Sequence, residues 1–170
     1  QHPASTGEVR RYRAIIFPIG GAREPIEPHH LVPVRGDNGD LRRPIDLVLD
    51  GTAILNFSTQ RVPPAIRELC AFAEVELADV DFVVLHQANR MINETIRRKL
   101  DLLPEKVPSV LNDFGNSNSA SIPITMTARL REALSHRRMR LLLSGFGVGL
   151  SWGSCILDIE GATLPELIEL

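Results

Sequence analysis

Three short polar clusters carry the side chains capable of chemistry in this 170-residue chain. The first, His86, Gln87, Ala88 and Asn89, follows directly on the apolar run "DFVVL" at 81–85, where a strand gives way to a helix. A histidine there offers a donor, an acceptor or a proton carrier near neutral pH, and the same position suits a cap or a structural hydrogen bond. The second cluster, "NDFGNSNSASIP" at 112–123, sets Asn116 and Asn118 behind Gly115 and ahead of a helix. Its amides fit a ligand, and they fit helix capping equally well. The third, "SGFGVGLSWG" at 144–153, spaces glycines at 145, 147, 149 and 153 between two apolar runs. Such glycines let backbone approach a ligand or simply turn between strands. No helix opens after them, so this is not a dinucleotide fingerprint. Together, a histidine, an amide and converging backbone N–H groups are what a carbonyl oxygen needs as it gains negative charge.

The elements that must position these clusters are legible from periodicity. Residues 12–20, "YRAIIFPIG", predict a buried strand, and the Pro-, Gly- and charge-rich stretch 22–44 predicts a surface excursion. From Thr52, apolar residues recur three or four apart, a helical spacing that Pro63 and Pro64 kink or restart. A strand at 81–86 and an amphipathic helix at 89–100, with Ile92, Ile96 and Leu100 on one side, follow. A short strand at 107–111, a helix from Ser121 with Pro123 near its start, and two apolar strands at 140–146 and 152–159 complete the order. The alternation predicts an α/β fold: a single domain over 1–170 with a five-stranded mixed sheet and helices on both faces. In such sheets sites gather at strand ends, and each polar cluster falls at one.

Composition narrows the function. With a net charge of -2 and a pI near 6.2, the chain lacks the basic excess of a general nucleic-acid surface. No apolar run approaches the roughly 20 residues that cross a bilayer, so the chain reads as soluble and cytoplasmic with no membrane partner. Cys70 and Cys155 are read as packing residues, and His29 and His30 as part of a solvated loop; no metal site is indicated. The start at Gln1 suggests a processed, cleaved or truncated product.

The segments "LHQANRMI", "FGNSNSASIP" and "GFGVGLSWGSCIL", in this order with helices between them, resemble the C-terminal half of beta-ketoacyl-acyl carrier protein synthase III, a condensing enzyme of the thiolase superfamily. The similarity spans roughly residues 10–160. It implies a thiolase-like half-fold and an acyltransferase that performs a decarboxylative Claisen condensation with a Cys, His and Asn triad, in fatty acid, polyketide or other acyl synthesis. His86 and Asn116 match the family's catalytic histidine and asparagine, which leaves Asn118 as a neighbour. Val148 matches a backbone oxyanion-hole donor where the family often has glycine. Gly51, Ala88 and Phe146 match positions near the acyl and cysteine pocket, and Asn89 a position near the pantetheine arm. Where many members carry an arginine this chain has Met91, with the basic side chain at Arg90. Arg90, Arg97, Arg98 and Lys99 together offer a local basic patch for an acidic carrier protein or a merely solvated face.

The implied partners are an acyl-coenzyme A primer, a substrate rather than a cofactor, and malonyl-acyl carrier protein, with dimerisation in the complete enzyme. The family's nucleophilic cysteine lies in an N-terminal half that this sequence does not contain, and neither Cys70 nor Cys155 carries its surrounding sequence. The chain alone is therefore expected to be inactive. It reads as a C-terminal fragment of such an enzyme; a subunit of a split acyltransferase and a noncatalytic thiolase-fold binding module are the alternatives. Thiolytic or hydrolytic acyl transfer on the same scaffold is a further class, because His and Asn serve those reactions too.

Overall fold

The computed structural model describes residues 14–36 and 39–168, which divide into two compact units. The first holds the residues up to Ile54 and the turn Gly147–Ser151; the second holds Leu55–Phe146 and the residues from Trp152 onward.

In the first unit, β1 (Ile15–Ile16) pairs antiparallel with β4 (Val48–Leu49), and β2 (Val34–Arg35) with β3 (Leu41–Arg42). The buried strand expected at 12–20 is reduced to those two residues of β1, and Phe17 is exposed. Residues 12 and 13 lie outside the described part. The run stops because Pro18 lacks an N–H, and Gly20, at φ +116°, turns the chain so that its N–H reaches the Glu24 carbonyl at 2.9 Å. The excursion at 22–44 contains the β2–β3 ribbon and a 3₁₀ turn, Pro28–Leu31. His30 in that turn is buried rather than solvated, its Nδ1 accepting the Glu27 N–H at 3.0 Å. Asp50 then caps the next helix, its Oδ1 accepting the Ala53 N–H at 2.9 Å.

The helix that follows, α1 (Gly51–Phe72), runs through Pro63 and Pro64 without a break. Proline at 63 removes the N–H that would have bonded the Thr59 carbonyl one turn back. Lys99 Nζ donates to that carbonyl instead, at 2.9 Å, and Arg67 returns a bond to the Lys99 carbonyl at 2.9 Å. Along the second unit come β5 (Phe82–Leu85), α2 (Arg90–Lys99) and the short α3 (Leu111–Phe114). A continuous helical run follows: α4 (Ser121–Thr125), a π-helical turn at Met126–Leu130, and α5 (Arg131–His136). Strands β6 (Met139–Gly147) and β7 (Ser151–Ile159) close the fold.

Among the described residues the main sheet has three strands, in the order β5-β6-β7, rather than five. It is mixed: β5 runs parallel to β6, and the three-residue link to β7 is far too short for a crossover. The 107–111 segment is not a strand. Pro108 lacks a ladder donor, the Val110 N–H is held by a side chain, and α3 begins at Leu111. One face of the sheet packs Val84, Met139 and Leu141 against Leu130 and Leu134 of the helical run. The alternate residues Val83, Leu85 and Leu142 are also fully buried, so both faces are covered.

The Lys99 bond yields a stability test. Lys99→Met is expected to lower unfolding free energy by about 1.5 kcal/mol, as loss of one charge-assisted bond to a carbonyl, read as a lower urea midpoint at unchanged slope. An unshifted midpoint would show that water satisfies Thr59 just as well.

Candidate active site

The site begins where the parallel ladder ends. Phe82, Val83, Val84 and Leu85 pair with Leu141, Leu142, Leu143 and Ser144, and one more bond, His86 N–H to the Ser144 carbonyl at 2.8 Å, closes the ladder. Beyond it the chain turns sharply: the His86 carbonyl accepts both the Ala88 N–H at 3.0 Å and Asn93 Nδ2 at 3.1 Å. Asn89, at an extended backbone, caps α2 by accepting the Ile92 N–H at 2.8 Å. Its carboxamide oxygen is thus committed to the fold, which leaves the NH₂ end of this expected pantetheine contact.

Gln87 holds this corner together, and sequence reasoning assigned it no role. It is fully buried, yet every polar end is met: Nε2 donates to the Leu85 carbonyl at 2.8 Å, and Oε1 accepts Ser109 Oγ–H and the Val110 N–H, both at 3.1 Å. Its own N–H reaches Ser121 Oγ at 3.2 Å. One side chain therefore ties the strand exit to the 109–110 segment.

Ser121 Oγ also lies 2.7 Å from His86 Nδ1. The imidazole meets the Phe146 ring edge-on, with centroids 5.4 Å apart and planes at 84°. Burial pushes the His86 pKa below its ordinary 6.5, and hydrogen bonding with the Asn118 backbone opposes the shift. Asn116 joins the same corner. Its Nδ2 donates to the Ala88 carbonyl at a long 3.4 Å, and its Oδ1 accepts the Asn118 N–H at 2.9 Å. An amide nitrogen carries two hydrogens, so one remains for a ligand. Gly115 makes this turn possible: at φ +59° and ψ −151° it adopts a geometry that other residues reach only with strain. The His86 and Asn116 clusters, 30 residues apart in sequence, are thus joined in space by Ser121 and Ala88.

The remaining sequence-predicted residues fall in several places. Ala88 is half-buried and Phe146 buried, both beside His86. Val148 and Gly51 belong to the first unit. Val148 sits exposed in the β6–β7 turn, its carbonyl accepting Ser151 Oγ–H at 2.6 Å, and Gly51 opens α1. Of the basic residues on α2, Arg97 forks onto Glu94 and also donates to the Leu102 carbonyl, and Arg98 shares the same Glu94 at 2.8 Å. These guanidinium groups hold the Glu94 carboxyl down at about 2. Lys99 is committed to Thr59. The patch is therefore largely spent on the fold; Arg90 alone of the four has no ion-pair or hydrogen-bond partner among the described residues, and it borders a cavity of 210 Å³ with Asn93 and Ser109. Met91 is exposed. Cys70 is buried as expected, and burial raises its thiol pKa; Cys155, expected to pack, is exposed on β7.

Comparison with known proteins extends this picture. The profile of a family described as "3-Oxoacyl-[acyl-carrier-protein (ACP)] synthase III C terminal" matches residues 70–159. The beta-ketoacyl-[acyl-carrier-protein] synthase III of Streptococcus agalactiae serotype III (strain NEM316) is 40% identical over 115 residues, covering 66% of this chain and 36% of that protein. That of Trichodesmium erythraeum (strain IMS101) is 37% identical over 112 residues, covering 66% and 34%. The chain thus spans about a third of the length of these curated relatives. The crystal structure of 3-oxoacyl-(acyl-carrier protein) synthase from Burkholderia xenovorans LB400 superposes with a TM-score of 0.81 at 29% identity, over 95% of this chain and 44% of that one.

Two measurements check the corner. Gln87→Leu removes the partner of two buried backbone groups, the Val110 N–H and the Leu85 carbonyl, so it is expected to destabilise by about 2–3 kcal/mol; a loss below half of that in urea unfolding would mean the network is not tight. His86 should titrate below 6.5 when followed by NMR. With the folded pKa depressed, the unfolded chain binds the extra proton first, so stability is whole above pH 6.5 and falls as pH drops from there toward the folded value. A His86→Asn variant should lose less stability over that interval than the parent chain.

Proposed function

The chain belongs to the 3-oxoacyl-[acyl-carrier-protein] synthase III family, as the C-terminal half of that thiolase-like fold, and from this we propose that it supplies the histidine and asparagine of a decarboxylative condensing site. The observation that carries the reading is the shared corner in which His86 and Asn116 lie at one strand end, tied through Ser121 and Ala88.

In the proposed reaction, an acyl group moves from coenzyme A to a cysteine contributed by the N-terminal half. Malonyl-acyl carrier protein then enters, and its Cα–carboxylate bond breaks to release carbon dioxide. The electron pair left behind delocalises onto the thioester oxygen, where His86 N–H and Asn116 Nδ2–H donate hydrogen bonds. The enolate carbon attacks the acyl-cysteine carbonyl, and collapse of the resulting oxyanion expels the cysteine thiolate. Phe146 walls the histidine and lowers its access to water. Ala88 borders the acyl pocket, Asn89 meets the pantetheine arm, and Arg90 and Arg98 face the acidic carrier protein, with Arg97 and Lys99 bracing the helix that presents them.

The nucleophile does not come from this chain. A nucleophilic cysteine needs a depressed pKa and access, whereas Cys70 is buried with its pKa raised, and Cys155, though exposed, stands within strand β7 rather than at a helix N-terminus. The 170-residue chain by itself should therefore take no covalent label from radiolabelled acyl-coenzyme A; a labelled chain would overturn the assignment. In the complete enzyme, His86→Ala and Asn116→Ala should each slow carbon dioxide release from malonyl-acyl carrier protein by about 10²–10³, the usual cost of one preorganised donor. Undiminished release in both variants would sink the condensing reading.

A further inference from the structure

We propose that Ser121 is a positioning residue that fixes the tautomer of His86, so that the ring carries its proton on Nε2, the nitrogen facing away from the serine. The inference deepens the condensing reading above and rests on His86 acting there as a hydrogen-bond donor.

The geometry leaves little freedom to the serine. Its Oγ is met from two sides, by the Gln87 N–H at 3.2 Å and by His86 Nδ1 at 2.7 Å. A backbone N–H only donates, so Gln87 occupies a lone pair of Oγ and leaves the hydroxyl hydrogen to be placed. Ser121 is fully buried, where an unmet donor is strongly disfavoured, and among the described residues the only other partner of Oγ is His86 Nδ1. Nδ1 must then be the acceptor, which a neutral imidazole offers only when Nε2 holds the proton. The result is a one-way relay, Gln87 N–H to Ser121 O–H to His86 Nδ1, in which each bond polarises the next.

The surroundings hold both ends of that relay still. The Gln87 backbone cannot shift without breaking its side-chain bonds to Leu85, Ser109 and Val110. The Ser121 carbonyl is pinned by Thr125 Oγ1–H at 2.8 Å, in a buried turn of α4. Phe146, edge-on to the ring, limits rotation of the imidazole, and Asn93 holds the His86 carbonyl.

The test reads the proton directly. Full-length protein is labelled with ¹⁵N-histidine, the ring signals of His86 are assigned by their disappearance in His86→Gln, and long-range proton–nitrogen correlation spectra are recorded above the imidazole's titration. The expected result is one tautomer, with Nε2 protonated and Nδ1 bare. Protonated Nδ1, or comparable amounts of both forms, would overturn the proposal. In Ser121→Ala the minor form should grow by roughly five- to tenfold, the weight of one ordinary hydrogen bond; an unchanged spectrum would equally overturn it. Should the alanine variant fail to fold, the parent spectrum alone decides. Because the spectrum reports the ring proton whatever reaction follows, a wrong tautomer leaves the decarboxylation assay to judge the condensing chemistry separately.

Discussion

The last rung of the parallel ladder, the His86 N–H donated to the Ser144 carbonyl, decides where every polar side chain of this corner comes to lie. Side chains along β5 alternate between two covered faces, so a slip of one residue would exchange Val84 with Leu85 and carry the histidine to the wrong face. Register is well protected against that slip. Val83, Val84 and Leu85 are fully buried beside Leu141 and Leu142, and Ser144 is buried with its hydroxyl bonded to Ser154 at 2.9 Å. The opposite end is pinned too: Asp81 N–H bonds the Arg140 carbonyl, Asp81 Oδ2 accepts the Arg140 N–H, and the Arg140 side chain pairs with Asp158 on β7. A ladder closed at both ends delivers His86 to one place.

Once the ladder stops, the backbone groups of the corner need partners inside the protein, and the Gln87 side chain serves two of them, the Leu85 carbonyl and the Val110 N–H. Glutamine is costly to bury, since both ends of its amide must be satisfied or the network becomes a liability. Here the geometry satisfies donor and acceptor alike, so the same residue that stabilises the corner also fixes the height of the Ser121 hydroxyl beside the imidazole. Structure and chemistry are therefore supported by one set of bonds. A variant that loosens one loosens the other.

How far this was legible in the sequence depends on whether a feature is local. The strand into His86, the amphipathic α2 and the helix with Pro123 in its first turn declare themselves through periodicity and proline placement, which act within a few residues. Glu94 with Arg97 and Arg98 sits at the spacing of helical ion pairs, and that spacing explains why the basic residues turn inward to their own helix. Segment 107–111 misleads because its apolar residues mimic a strand, while the Val110 N–H that would enter a ladder is taken by a glutamine 23 positions away. Likewise no local pattern announces that Lys99 replaces the donor lost at Pro63, or that Ser121 meets His86 across 35 residues. Such pairs exist only once the helices are docked. The missing sheet strands follow the same logic, since Ile15–Ile16 finds its partner in Val48–Leu49 rather than in the main sheet.

The depressed pKa of His86 fits the role proposed for it better than a charged ring would. An imidazolium at the thioester oxygen would also attract the malonyl carboxylate, and stabilising that group before it leaves as carbon dioxide raises the barrier to its departure. A neutral ring avoids this competition while still offering one N–H to the oxygen where charge accumulates. Burial beside Phe146 disfavours the cation, and the serine contact takes up the other nitrogen. Asn116, which carries no charge at any pH, can pair with such a ring without altering that balance. In the proposed reaction, a ring that burial steers away from the cation, beside an uncharged amide, would respond chiefly to charge that develops in the substrate, which is the condition for an interaction to strengthen in the transition state rather than before it.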